Sequence, residues 1–526
     1  MTEKKKDFVY GAFVLALSGF LVKLIGAVFR IPLTNLVGTT AMGYFSSAYS
    51  VYIVLLSLAT SGMPTGIAVM VSRALALDKP RDVGKTLRVA GTVFISLGAV
   101  ISTLGVIFAR PIAIFMNSAD AYYAMVALMP AVFCISVVAL FKGYFQGFNN
   151  MVPTATSNLI EAAVKLCAGY GIAYWMIQNG YPPEQAVGGA IAGITLSTVC
   201  AMCFMVLRYL LRGSKYRLKF DQFTAAATAT PLLVKEFFGT ALPLMISSIT
   251  SNLMGAIDSF LVMNRLTSYL SEDQANLLWG AFGNMTLTIF NLPSFLIVAI
   301  GTSLVPGIAA AFARKEFDTV KSYVNRSLKM ALTLSCACAF GINAVAKPLL
   351  QLLFRDENAI PHAAQCLQII CFVLISVGFT TVTAAILNSV KKAHLSVVSV
   401  AVGGCIKTLF TFIFVSFPAL NIYGAPMATN LAYPVIAILN LYFIRKHLGV
   451  SPDLKTVLLK PLLAGVCCFA TAKIYLFLGG LISDSRLMVL PVIALTAITY
   501  VGIILGLKLF TKDELLGIFR RRSRQK

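Results

Sequence analysis

Apolar runs of about 20 residues recur along the whole chain, and each is long enough as a helix, at about 1.5 Å per residue, to cross roughly 30 Å of hydrocarbon. The spans are expected near 8–30, 42–62, 86–108, 121–145, 153–177, 187–210, 237–263, 276–299, 327–353, 362–388, 395–417, 424–444, 456–478 and 487–509, about fourteen in all. With 58% hydrophobic and 12% charged residues and a mean hydropathy of +0.84, the chain lies far from the composition of soluble domains. The expected fold is therefore an all-α polytopic membrane protein. The opening "MTEKKKDFVYGAFVLALSGFLVKLIGAVFR" has the basic start of a signal peptide. Its apolar run is longer than a signal core and lacks a small-residue cleavage site, so it reads as the first span.

Lys and Arg near span ends are retained in the cytoplasm, so their distribution tests the parse. With the N-terminus inside, most of the 43 Lys and Arg fall on one side, in "RALALDKPRDVGKTLR", "RYLLRGSKYRLK", "ARKEFDTVKSYVNRSLK", "RKHLGVSPDLK" and the tail "RRRSRQK". Lys142 is counted with this cytoplasmic set, while Arg110, Arg265, Lys347, Arg355 and Arg486 fall outside. An even number of helices keeps both termini cytoplasmic. The net charge of +23 is the sum of these loops; no nucleic-acid module accompanies it, and no nucleic-acid partner is expected. "CAMC" at 200–203 has zinc-like spacing but sits inside a span without a second ligand pair, so the eleven cysteines read as packing residues. No phosphate-binding loop, nucleophile elbow or metalloprotease helix occurs. The chain is expected to need no metal or cofactor and to catalyse no covalent chemistry.

A shift of 242 residues lays "TSGMPTGIAVMVSR" (60–73) over "TSLVPGIAAAFARK" (302–315), Gln146 over Asn388, and Lys165 over Lys407. Six spans separate equivalent positions, so the halves share orientation and relate by an axis along the membrane normal. The expected organisation is a six-helix half over 1–222, a second over 223–450, and two appended helices with a basic tail over 451–526.

"KLIGAVFRIPLTNLVGTTAMGYFSSAY" in the first two helices, "FNLPSFLIVAIGTSLVPGIAAAFARKE" in the eighth helix and following loop, and the twelve-plus-two layout carry a resemblance. The sequence resembles the multidrug/oligosaccharidyl-lipid/polysaccharide superfamily, specifically its polysaccharide-flippase branch. Within it the chain looks like the group of stage V sporulation protein B and YtgP, and more distantly like the MurJ lipid II flippases. The resemblance implies alternating access, a cavity lined by bases of the first and eighth helices, and a polyprenyl-tail groove built by the two extra helices. Arg30 matches a first-helix arginine of MurJ-like proteins and Lys23 falls where they carry another base. Their eighth-helix arginine falls on Thr288 here, and a second-helix arginine near Leu56 and Ser57.

Ionisable residues inside spans cost roughly 2.5 to 3.5 kcal/mol each at a helix centre on insertion scales, and usually face a bundle interior or wet cavity. The bases are Lys23, Arg30, Lys165, Lys407 and Lys473; the acids are Glu161 and Asp258. Their sign favours an anion such as a pyrophosphate, where a drug or cation antiporter wants carboxylates. Lys23 and Arg30 are two helical turns apart on one face, and Lys165 and Lys407 are repeat equivalents, so these four form the expected anion-binding set. Glu161, four residues before Lys165, either neutralises it, tunes it or carries a coupling ion. Asp258 either pairs with Arg30 or couples an ion. For Arg30 and Lys473, snorkelling to the interface is the competing role. Arg73 and Lys315, each after Thr-Ser-x-x-Pro, either contact phosphate at the cytoplasmic mouth or serve topology alone.

Pro64, Pro243, Pro293 and Pro306 interrupt helical bonding in or beside spans, with Pro64 and Pro306 as expected hinges. "GGAIAG" (188–193) suits close helix packing. Gln146, Asn149, Asn150, Asn284 and Asn388 can bind sugar hydroxyls or cap helix ends. Together these features lead to the expectation of a monomeric, multi-pass plasma-membrane flippase for an undecaprenyl-pyrophosphate-linked oligosaccharide such as lipid II, driven by H+, Na+ or the membrane potential. A multidrug or organic-cation antiporter of the same superfamily, and a polyprenyl-lipid transferase, are the alternatives.

Overall fold

The structure is a computed structural model that describes residues 3–77, 79–217, 230–303, 308, 311, 312, 314, 316–390, 392–453, 455–482, 485–507 and 509. Among the described residues it is helical, with no β-strand. Among the described residues ten helices are long and apolar enough to cross a membrane, and the pair Ile360–Ile370 and Val373–Ser389, bent by 44°, passes the same test when taken together. The other three expected spans are helical as well, but interrupted or polar. That over 153–177 is α7 (Val152–Val164) and α8 (Tyr170–Gln178), joined by a π-helical turn at Lys165–Gly169. That over 237–263 lies in α10 (Thr230–Leu266), rich in Ser, Thr and Asn. That over 276–299 is α11 (Glu272–Gly280) and α12 (Leu287–Ser303), with a π-helical turn at Ala281–Thr286 between them. The chain is thus an all-α polytopic membrane protein of about fourteen passes.

Two compact units, Met1–Asn284 and Met285–Lys526, divide the chain. The first holds α1 (Glu3–Val37), α2 (Thr39–Thr60), α3 (Met63–Ala76), α4 (Pro80–Ile107), α5 (Ala109–Phe115), α6 (Ala121–Gly147), α7, α8, α9 (Pro183–Arg217), α10 and α11. Its central post is α6, apolar around its circumference and buried along most of its length, which is what a helix surrounded by protein requires. It packs against α2, α3, α4 and α9. The second unit holds α12, α13 (Phe317–Leu353), α14 (Ile360–Ile370), α15 (Val373–Ser389), α16 (Ala393–Val415), α17 (Gly424–Leu448), α18 (Lys460–Ile482) and α19 (Val489–Gly506). Here α13 contacts α12, α14, α15, α18 and α19.

The break between α2 and α3 rests on Gly62, whose φ of 78° lies in the left-handed region. A Cβ there would stand 2.5 Å from the Ala241 carbonyl oxygen of α10. Pro64 follows in the first turn of α3, where its missing N–H costs no hydrogen bond. Gly62→Ala is therefore expected to destabilise the protein by about 2 to 4 kcal/mol, from left-handed strain plus overpacking. Thermal unfolding in detergent, with Thr65→Ala as control, checks this; an unchanged Tm would contradict it. Pro306 lies outside the described residues.

The π-turn of the fifth span is accommodated by Gly193 of "GGAIAG". A Cβ at Gly193 would collide with the backbone of Gly169 and Ala168, so only glycine lets α9 approach the widened turn.

Candidate functional site

Charge inside the first unit gathers where α1, α2, α6 and α7 meet. Arg30, half-buried on α1, holds its guanidinium 5.8 Å from the ring centroid of Phe45 and 5.7 Å from that of Tyr49. Both rings are on α2, stacked on each other at 5.6 Å, and Tyr52 continues the ladder 5.8 Å from Tyr49. Spacings of four and three residues put these rings on one helix face. Lys165, at the start of the π-turn, places Nζ 5.1 Å from the ring centroid of Phe29, the residue preceding Arg30. α1 and the π-turn after α7 thus each present a cation held against an aromatic face, which supports the charge without neutralising it.

The charges of Arg30, Glu161 and Lys23 all act on Lys165, and that of Glu161 acts also on Lys142, Tyr49 and Tyr52. Lys23 is exposed, while Lys142, Glu161 and Lys165 are half-buried. None of Lys23, Arg30, Lys142, Glu161 or Lys165 forms an ion pair within 4.0 Å among the described residues. The structure therefore brings Lys23, Arg30, Lys165 and Glu161 into one electrostatic neighbourhood and adds Lys142. Lys142 lies inside α6, over a turn before the helix end at Gly147.

Other expected residues fall elsewhere. Asp258 is buried on α10. Arg73, on α3, forms an ion pair with Glu236 of α10. Lys315 lies outside the described residues. Lys407 is half-buried on α16 in the second unit, where Gly403 stands against Ile436 of α17. Lys473 is exposed on α18, 5.6 Å from the Phe469 ring centroid. Asn284 neither caps a helix nor stands open. Its Nδ2 donates to the Met42 carbonyl and Ser46 Oγ, both at 2.5 Å. These bonds tie the π-helical turn after α11 to α2 within the first unit. Nearby, Tyr44 Oη donates to Asp273 Oδ1 at 3.1 Å, and the Ala119 N–H to Glu272 Oε1 at 2.7 Å. Burial, and then the charges of Asp120 and Asp273, push the Glu272 carboxyl above its usual range.

The second unit contains an apolar cavity of about 700 Å³ between α12, α13, α18 and α19. Leu292, Leu334, Ala337, Gly341, Ile493 and Val501 are among its walls. Its hydroxyls are used internally: Tyr500 Oη donates to the Thr333 carbonyl at 2.7 Å and Thr496 Oγ1 to the Val492 carbonyl at 2.7 Å. What remains is a hydrocarbon surface, suited to an apolar chain. Thr288 is buried with its hydroxyl unpartnered among the described residues.

A helical membrane bundle with bases inside the spans of its first unit and an apolar cavity in its second is the build of a membrane transporter. The chain belongs to the polysaccharide biosynthesis protein family, whose model matches residues 8–312; the MatE model matches 243–413. It is a multi-pass member of the multidrug/oligosaccharidyl-lipid/polysaccharide superfamily. Among its relatives from Bacillus subtilis (strain 168) is uncharacterized membrane protein YabM, 25% identical over 522 residues, 97% of this chain and 95% of that one. Stage V sporulation protein B is 22% identical over 514 residues, 97% of each. The lipid II flippase MurJ is 23% identical over 544 residues, 97% of this chain and 98% of that one. Two solved structures share the fold. Lipid II flippase MurJ in an inward closed conformation has a TM-score of 0.70 at 14% identity, over 93% of this chain and 98% of that one. An inward-facing multidrug MATE transporter has a TM-score of 0.65 at 16% identity, over 81% of this chain and 94% of that one.

Proposed function

We propose that the protein is a flippase that moves a polyprenyl-pyrophosphate-linked cell-envelope saccharide, of the lipid II kind, from the inner to the outer leaflet of the plasma membrane. The observation that carries this reading is the pair Arg30 and Lys165, half-buried, set against aromatic faces and free of ion-pair contact among the described residues. Such cations match a pyrophosphate, which accepts charge-assisted hydrogen bonds on every free oxygen. Lys23 extends the basic stripe along helix 1, and Lys407 joins the set on its repeat position. The apolar cavity of the second unit would take part of the lipid tail. Both termini are taken as cytoplasmic from the loop charges, and a monomer suffices for transport.

The MatE match supports the cation-antiporter alternative, but that chemistry needs an anionic site. Here Glu161 is outnumbered by the bases around it. The family match and the relatives named as flippases support reading the protein as a carrier.

Vesicles reconstituted with the protein and fluorescent lipid II test the proposal through access of an external quencher to the head group. Outward movement is expected, and Lys165→Ala combined with Lys407→Ala should abolish it. Undiminished transport by that variant would remove these lysines from the substrate path, while uptake of cationic dyes dependent on Glu161 or Asp258 would replace the proposal with the antiporter.

A further inference from the structure

Lys142 was not expected near the site, and its depth relative to Glu161 and Lys165 is informative. α6 ends at Gly147 and α7 starts at Val152, so the two leave one short turn and touch each other, while both pack against α9. Counted from the turn at 148–151 at about 1.5 Å per residue, Lys142 lies about 8 Å along its helix, Glu161 about 14 Å and Lys165 about 20 Å. Glu161 thus stands midway in depth between two lysines, within electrostatic reach of both and in ion-pair contact with neither. About 6 Å of rise on either side is within what a glutamate rotamer change and a flexible lysine stem can close together.

The geometry points to a carboxylate switch: Glu161, set between the two lysines, offsets the charge of Lys165 without pairing with it when the anion site is empty, and pairs with Lys142 when a phosphate takes Lys165. This rests on the reading of Arg30 and Lys165 as an anion site. An empty site with several unneutralised cations in a membrane is costly, and an internal carboxylate lowers that cost. A bound phosphate then competes with Glu161, and Lys142 supplies the place to which the displaced carboxylate goes. Lys142 touches no ligand in this scheme. It is a positioning residue acting through Glu161.

The roles separate in a double-mutant cycle read by calorimetric binding of farnesyl pyrophosphate to the full-length protein in lipid nanodiscs, with empty nanodiscs as blank. Glu161→Gln removes the internal competitor and should tighten binding about fivefold, while Lys142→Gln should weaken it about five- to tenfold, the usual size of coupling between neighbouring charges. Lys142→Arg keeps the charge and should restore wild-type affinity. In the Glu161→Gln background, Lys142→Gln should change binding by less than about twofold. An equal loss in both backgrounds would mean that Lys142 contacts the ligand directly, and the switch would be wrong. So would unchanged or weaker binding by Glu161→Gln alone, a readout that does not depend on the Lys142 variants folding. If Arg30→Gln with Lys165→Gln leaves affinity intact, the anion site itself fails, and the switch with it.

Discussion

Protein carrying Arg30→Gln together with Lys165→Gln should bind a polyprenyl pyrophosphate at least about a hundredfold more weakly than wild type, because each charge-assisted contact contributes about 1.5 to 3 kcal/mol. Each single change should cost less than half of that in free energy if the remaining cation re-centres the phosphate, since the charge of Arg30 already acts on Lys165. The same double variant should unfold at an unchanged or higher temperature. Both side chains are half-buried without an ion pair among the described residues, so their removal breaks no ion pair and relieves the desolvation of two cations. Binding calorimetry and thermal unfolding in one detergent give both readouts. A loss of affinity accompanied by a matching loss of stability would assign these residues to folding instead of recognition.

The second large effect concerns the groove. Affinity should climb steeply with the length of the prenyl chain, since each buried methylene is worth about 0.8 kcal/mol, roughly a fourfold change, and should level off once the cavity of about 700 Å³ is filled. Gly341 lines this space, and a Cβ there would meet only Cys468 Sγ at 3.8 Å. The backbone therefore tolerates substitution, and Gly341→Trp would project an indole into the cavity. That variant should flatten the chain-length dependence by an order of magnitude or more at the long end, several methylenes' worth, while leaving inorganic pyrophosphate binding unchanged. Competition among prenyl pyrophosphates of increasing length decides it; an unaltered slope would place the tail elsewhere.

Much of this architecture can be read from the chain alone, for reasons particular residues make clear. Lys23, Arg30, Glu161 and Lys165 stand out because every other residue near them in the spans is apolar or small, and the repeat directs attention to Lys165 and Lys407. Lys142 escapes the same reading because it lies within a few residues of a span end, where a lysine ordinarily belongs to the loop. The ladder Phe45, Tyr49 and Tyr52 is hidden by abundance: with 36 Phe and 19 Tyr in the chain, aromatic spacing carries little signal. Pro64 draws the eye to the α2–α3 break, yet the conformation there depends on Gly62 and on a carbonyl nearly 180 residues away, a tertiary contact that no local pattern encodes. The grip of Asn284 on helix 2 is long-range in the same way. The π-turns are invisible as well, because one extra residue in a turn leaves the apolar pattern intact and is stabilised by neighbours such as Gly193.

A sequence repeat sets out two alike stretches, and a solute with two alike ends would suit such a plan. A molecule with a charged head and a greasy tail has polarity, and it needs a binder that has lost its own sameness. The π-turn at Lys165–Gly169 marks one such loss. The stretch around Lys407, which lies over it at the 242-residue shift, is an uninterrupted helix, so the two lysines, though at one repeat position, stand on different local backbone conformations. Under the proposed function, that local difference gives the charged head a seat in the first unit that the second does not copy.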